Sequence, residues 1–285
     1  MLGPMGDDVA VLSLECGKAN AMTFELLDTL ERMLDGFERG PATAAVFTGY
    51  DNYFSGGLAL TQIIDFGVVE LRGYIEQFSR VLTRMLACEK PIVAAVNGHA
   101  IAGGCVLALV CDWRIATDDP AMRIGLSETT LGVGLPAIAI EALRIAVPPA
   151  SILPIAFEGK LFNPRDALAL GLVHDVAPAA SLLARATAKA ETLAALPAAA
   201  IAQIKRALRA PVLDTLARTA DLETTRWLDT WFHPDAQSRL RAAVAKLGGR
   251  APTQSQSGAP AANEPARRPV TSPLPRLKAH TQRDP

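Results

Sequence analysis

Cysteine is scarce: four in 285 residues cannot make a disulfide framework, and Cys16, Cys88, Cys105 and Cys111 read as reduced thiols of a cytoplasmic protein. Cys105 and Cys111 stand six apart with no CxxC and no nearby His pair, so no zinc site is expected. Excess charge is also missing. With 28 Lys+Arg against 29 Asp+Glu the net charge is −1, which excludes nucleic-acid binding as the main task. The first residues, MLGPMGDDVAVLSLE, carry two Asp where an export signal needs basic residues. The longest apolar stretch, Ile92 to Val110, is interrupted by Asn97, Gly98, His99, Gly103 and Gly104 and closed by Cys111-Asp112. That pattern reads as buried strand, turn and buried helix, and no membrane span is expected. Neither glycine-rich turn of the chain is followed by Gly-Lys-Ser/Thr or spells GxGxxG, so neither is read as a nucleotide site.

What is present is the composition of a globular protein, 50% hydrophobic and 20% charged. Short apolar runs at Val9–Leu14, Ala44–Thr48, Ile92–Val96, Trp113–Ala116 and Met122–Gly125 predict strands, with Leu172–Val176 as an edge strand. Phe24, Leu27, Leu30, Met33, Leu34 and Phe37 recur at helical spacing behind a candidate cap, Thr23. Val68–Glu89 predicts a long helix stopped by Pro91, and Gly103–Val110 a central buried one. Tyr50 to Leu60 reads as a loop. After Pro136 the chain turns alanine-rich, with helices expected over Pro164–Leu170, Ala179–Leu196, Ala198–Arg209, Val212–Trp231 and Pro234–Leu247. Strands alternating with helices argue for an α/β fold with parallel pairing. From Arg250 onward seven prolines and few large apolar residues predict a disordered tail.

Two of the turns look built for chemistry. Ala45–Gly49 leads to FSGGLAL, Phe54 to Leu60, and KPIVAAVNGHAIAGGCVLAL, Lys90 to Leu109, places Gly103-Gly104 at a helix start. Glycines there let another group approach the backbone, and free N–H groups point outward at positive potential. Two such donors aimed at one point would form an oxyanion hole.

These blocks, together with KANAM near Lys18, CDWRIA at Cys111–Ala116, IGLSETTLG at Ile124–Gly132 and LFNPRDALALGLVHDV at Leu161–Val176, resemble the crotonase (enoyl-CoA hydratase/isomerase) superfamily over roughly Val9 to Leu247. The resemblance implies a crotonase-like spiral of ββα turns over residues 1–195, a C-terminal helical trimerisation region over 196–249, and a Pro/Arg-rich tail, 250–285, outside the likeness. It implies an acyl-CoA substrate, coenzyme A entering only as part of it, no metal or other cofactor, and a homotrimer or dimer of trimers. Matched onto this chain, the oxyanion donors are Leu58 and Gly103. Lys18, Ala19, Ala21, Gly56, Gly57, Ala59, Leu60 and Ser127 fall in the substrate- and CoA-binding segments. Of the family's two carboxylate positions, one is Glu128 and the other is Val106.

A single carboxylate suits the shift of a 3-enoyl thioester to the 2-trans isomer, where one proton leaves C2 and returns at C4. Hydration uses two acids, so Val106 argues against it. The IGLSETTLGVGLP stretch and AGGCVLALVCDWRIA also resemble monofunctional 3,2-trans-enoyl-CoA isomerases. Enoyl-CoA hydratase, another crotonase-type lyase or hydrolase, and a non-catalytic acyl-CoA binder are the alternatives. The last is motivated by Ala59, which stands where the family has Asp. Leu126, Leu131, Val133 and Leu135 are expected to line an apolar pocket around Glu128 and raise its pKa. Glu76 is a weak substitute acid. His99 is read as a packing residue, His174 is given no role, and Trp227, Trp231 and Phe232 form a core or interface stripe.

Overall fold

The computed structural model describes Gly3–Pro4 and residues 8–248; the tail expectation lies outside the described residues. Strands in chain order are β1 (Gly3–Pro4), β2 (Val9–Ser13), β3 (Ala44–Thr48), β4 (Tyr53–Ser55), β5 (Ile92–Val96), β6 (His99–Ile101), β7 (Trp113–Thr117), β8 (Ile124–Gly125) and β9 (Asp175–Ala177). Helices are α1 (Phe24–Arg39), α2 (Leu60–Ile63), α3 (Val68–Ala87), α4 (Gly103–Leu109), α5 (Ala137–Ala146), α6 (Pro149–Phe157), α7 (Pro164–Ala169), α8 (Ala179–Ala194), α9 (Ala198–Trp231) and α10 (Pro234–Gly248). Short 3₁₀ turns cover Lys18–Asn20 and Glu128–Leu131.

The apolar runs pair as expected. Six strands form one sheet in the order β1-β2-β3-β5-β7-β9, parallel except for the antiparallel β1–β2 pair. Both faces of this sheet are buried, which is why its strands read as continuous apolar runs rather than alternating ones. On one face Val9, Val46, Val93 and Ile115 pack under Leu182, Ala186 and Ala190 of α8. On the other, Leu12, Phe47, Ala94 and Val96 join the main core with α1 and α3. Helix α1 begins where expected: the Thr23 hydroxyl accepts the Leu26 N–H at 3.1 Å, and Leu26, Leu27, Leu30, Met33, Leu34 and Phe37 form its buried face.

A second sheet of three short parallel strands, β4-β6-β8, was not visible as strands in the sequence, apart from part of Met122–Gly125. Strands of two or three residues are too short to show a period of two. Each follows a strand of the large sheet, β3 to β4, β5 to β6 and β7 to β8, and each leads into a helix. Repeated stacking of this ββα unit is the spiral. Asn97 couples successive turns: its side chain accepts the Gly49 N–H at 2.9 Å and donates to the Asp51 and Tyr53 carbonyls at 3.0 and 3.3 Å.

Two expectations need correction. The edge strand starts at Asp175, not Leu172, because the Leu172 carbonyl is taken by the buried Arg114 side chain at 2.7 Å. The helices expected over Ala198–Arg209 and Val212–Trp231 are one 34-residue helix that runs through Pro211. Proline removes one helical hydrogen bond, but α9 is fixed on both sides of it. Lys205 and Arg209 bind Asp112 before the break, and Val212 and Leu216 are buried after it.

Candidate active site

The sites of parallel α/β sheets lie beyond the carboxyl ends of their strands, where loops from several strands meet. In the small sheet those ends are Ser55, Ile101 and Gly125, and the segments leaving them are SGGLAL, AGGC and LSETT. Ile101 pairs with Gly125, and the Ala102 N–H donates to the Gly125 carbonyl at 2.8 Å, so the second and third segments start side by side.

The first and second segments touch through glycine. Gly57 has φ +84°, and a Cβ on it would stand 2.6 Å from the Ile101 carbonyl oxygen and 3.1 Å from the Gly103 nitrogen. A Cβ on Gly104 would stand 2.1 Å from the Ser55 carbonyl oxygen. Only glycine allows these backbones to approach so closely. Gly103 is the first residue of α4, and the N–H groups of Leu58 and Gly103 have no protein acceptor among the described residues. Ala102, just before α4, holds φ 53° and ψ −120°, a strained conformation for alanine of the kind found where a site demands it.

The loop carrying Leu58 keeps its shape without the side-chain cap an Asp at position 59 would offer. Met22 brackets it, donating its N–H to the Gly57 carbonyl at 2.8 Å and accepting the Ala59 N–H at 3.4 Å, and the Tyr74 hydroxyl also donates to the Met22 carbonyl. Ala59 is buried and Leu60 opens α2. The Lys18–Ala21 segment runs beside the same loop. The Ala19 carbonyl accepts the Gly56 N–H at 2.8 Å, and Ala21 closes the turn by donating to the Lys18 carbonyl at 3.2 Å. Lys18 itself is exposed and makes no ion pair among the described residues. Its turn is held by Asn20, a residue the sequence reading passed over. The buried Asn20 amide donates to the Leu14 and Phe54 carbonyls at 2.9 and 3.2 Å and accepts the Cys16 N–H at 2.9 Å. Its signal was present, since Asn tolerates the positive φ of 46° found there.

Glu128 opens the 3₁₀ turn of the third segment, with Ser127 at the cap position. Its Oε2 is buried with no hydrogen-bond partner among the described residues. Burial pushes the carboxyl pKa up to about 7, against the opposing backbone N–H groups of Ser127 and Glu128. Leu126 and Val133 on either side are buried, and Leu131 and Leu135 pack against the same core. The Cys105 thiol on α4 is kept protonated by burial and by the nearby Glu128 charge. Val106 is buried and supplies no proton. Glu76 is half-exposed and paired with Arg72 at 3.4 Å.

His99 packs as expected: its Nδ1 accepts the Arg123 N–H at 3.1 Å and its ring sits 5.2 Å from that of Tyr53. His174 stacks on Trp113, centroids 4.2 Å apart. Trp227 and Trp231 are buried in the core, and Phe232 packs against it. Among the described residues no three His, Cys, Asp or Glu side chains gather as a metal-binding group, and no helix is long and apolar enough to cross a membrane.

Two unengaged peptide donors and one near-neutral carboxyl at the mouth of the same three strands can remove a proton next to a carbonyl and hold the resulting oxyanion. The chain is similar to several enoyl-CoA isomerases and hydratases. The human mitochondrial enoyl-CoA delta isomerase 1 is 28% identical over 244 residues, covering 85% of this chain and 81% of that protein. The mitochondrial enoyl-CoA hydratase of Pongo abelii is 29% identical over 240 residues, covering 84% and 81%. The crystal structure of human mitochondrial delta3-delta2-enoyl-CoA isomerase superposes with a TM-score of 0.83 at 27% identity, over 87% of this chain and 97% of that one. Residues 5–246 match the enoyl-CoA hydratase/isomerase family, and the chain belongs to that family and has its crotonase fold.

Proposed function

We propose that this protein moves the double bond of 3-enoyl-CoA to give 2-trans-enoyl-CoA, a step of fatty-acid metabolism, with Glu128 as sole acid/base. The thioester oxygen would accept hydrogen bonds from the Leu58 and Gly103 N–H groups. Ionised Glu128 takes the C2 proton, charge moves onto that oxygen as the enolate forms, and the same carboxyl returns the proton at C4. Lys18 and the backbone of Ala19 and Ala21 would meet the nucleotide end of coenzyme A, while Gly56, Gly57, Ala59, Leu60 and Ser127 border the thioester. No resident cofactor enters this scheme.

The observation that carries the reading is the occurrence of Glu128, whose carboxyl oxygen Oε2 is buried without a partner among the described residues, together with apolar, buried Val106 at the second acid position. A carboxyl titrating near neutrality can both take and return a proton. The second reading, hydration of a 2-enoyl thioester, is favoured by the hydratases among the similar proteins. It needs another acid to orient water, and half-exposed Glu76, paired with Arg72, is a poor one. Incubation with 3-enoyl-CoA and 2-enoyl-CoA in parallel separates the two. Hydration of crotonyl-CoA is expected at least ~10³-fold slower than isomerisation. Comparable rates would rule out the single-carboxylate mechanism.

A further inference from the structure

The turn carrying Glu128 is short, and within it only the backbone N–H groups of Ser127 and Glu128 bear on the carboxyl. It is a four-residue 3₁₀ helix without a side-chain cap, and Oε2 receives no hydrogen bond among the described residues. Such turns have poor hydrogen-bond geometry and depend on what surrounds them. The orientation of the carboxyl therefore rests on the backbone of the turn.

The chain just beyond that turn is gripped by α9. Gly134 donates its N–H to the Thr230 Oγ1 at 2.9 Å, and its carbonyl accepts the Trp227 Nε1–H at 3.0 Å. Both polar groups of one residue are thus held by two side chains a helical turn apart, more than ninety positions away in the chain. The Thr230 hydroxyl donates its own proton to the Trp227 carbonyl at 2.7 Å, which leaves a lone pair fixed on the Gly134 N–H. Trp227 is buried, its ring 5.3 Å from that of Trp231. From Gly134 the connection back is one residue long, since the Val133 N–H donates to the Glu128 carbonyl at 3.1 Å. Helix α9 is also anchored by buried Val212, Leu216 and Leu228 and by Lys205 and Arg209 on Asp112, besides these two polar contacts.

We propose that Trp227 and Thr230 are positioning residues for Glu128: by fixing both sides of the Gly134 main chain, they set where the Glu128 carboxyl sits relative to the oxyanion donors. This rests on the reading of Glu128 as acid/base.

The test uses Thr230→Val, which keeps shape and loses the acceptor, Thr230→Ser, which keeps the acceptor, and Trp227→Phe, which keeps a ring and loses the donor. Displacement of a reacting group by about an ångström is worth on the order of 10²-fold. Thr230→Val and Trp227→Phe should therefore each lower kcat on 3-enoyl-CoA by roughly 10-fold or more, with KM nearly unchanged, well below their melting temperatures. Thr230→Ser should stay within about two-fold of the parent. A second readout needs no turnover: in protein labelled with ¹³C-glutamate, Thr230→Val should move the Glu128 titration from about 7 down toward ordinary carboxylate values as water reaches the loosened turn. Thr230→Val with parental kcat and an unmoved Glu128 titration overturns the proposal, whatever its melting temperature. So does Thr230→Ser as impaired as Thr230→Val. If Thr230→Val does not fold, Trp227→Phe decides by the same criteria. Glu128→Gln run alongside separates the failures: full turnover there removes the acid/base reading itself, whereas its loss beside an active Thr230→Val removes only the role of α9.

Discussion

The Asp112 carboxylate, between α4 and β7, holds the Arg209 guanidinium of α9 at 2.6 Å, and these side chains are only 18% and 12% exposed. The other carboxylate oxygen takes Lys205 Nζ at 2.7 Å and the Ile92 N–H at 2.7 Å. One partly buried anion thus joins the central sheet to the long helix that reaches Gly134. Removing it would leave two partly buried cations facing each other without a counter-ion; hydrogen bonds to charged groups contribute about 1.5–3 kcal/mol, which sets the scale of the loss at these partly exposed side chains. Asp112→Ala should lower the stability from urea unfolding by that amount, and Lys205→Met by clearly less. Equal losses would mean that the charge balance at Asp112 is not what holds α9.

Glu128→Gln keeps shape and a hydrogen-bonding group but cannot carry a proton. It should leave folding and CoA-thioester binding nearly intact and cut kcat by roughly 10²–10⁴-fold. The loss belongs in kcat because the Leu58 and Gly103 N–H groups are untouched. Turnover within a few-fold of the parent would make Glu128 a bystander.

The raised pKa of Glu128 also has a signature in stability. Between the ordinary carboxylate value of 4.5 and about 7, the folded protein keeps a proton that the unfolded chain has released. Stability from this group is therefore present below 4.5, falls as pH rises through the window, and stays low above 7. At 1.36 kcal/mol per unit the whole fall is at most about 3–4 kcal/mol. Glu128→Gln should accordingly be more stable than the parent at pH 8 and lose that advantage at pH 4.5, measured by denaturant unfolding at both. The acid limb of the parent's kcat/KM profile should bend near 7, since only the ionised carboxyl takes the C2 proton.

Gly57→Ala tests the contact between the two donor segments. A methyl at φ +84° is strained, and its carbon would stand 2.6 Å from the Ile101 carbonyl oxygen, forcing the Leu58 and Gly103 N–H groups apart. Turnover should fall by about 10²-fold or more, the scale of losing one oxyanion donor, while the far-UV spectrum stays that of the parent. Parental turnover would place the oxyanion elsewhere.

Val106→Glu asks whether the second acid position is competent. A gain of crotonyl-CoA hydration over the parent, followed as loss of the conjugated enoyl absorbance, is the expected outcome. With no gain, the missing carboxylate is not what withholds hydration.

Local chemistry made much of this protein readable in its sequence. The Thr23 cap and buried face of α1, and the doubly buried strands β2, β3, β5 and β7, depend on neighbours a few positions apart, and so do the glycines at 57, 103 and 104. Periodicity and steric need are properties of short stretches, so the α/β fold and the two donor turns are legible there. The rest depended on distant partners. Strands β4 and β6 exist only because successive turns of the spiral stack, and three residues carry no period of their own. Proline at 211 spells a break, yet the helix continues because ion pairs before it and buried side chains after it hold both halves in line. The apolar neighbours of Glu128, Leu126, Leu131, Val133 and Leu135, are legible in one short stretch and so is the upward direction of its pKa, whereas how deeply the carboxyl is buried was decided by the packing around the turn. The grip of Trp227 and Thr230 on Gly134 is likewise a meeting of segments far apart in the chain, visible only once the helix is laid across the turn.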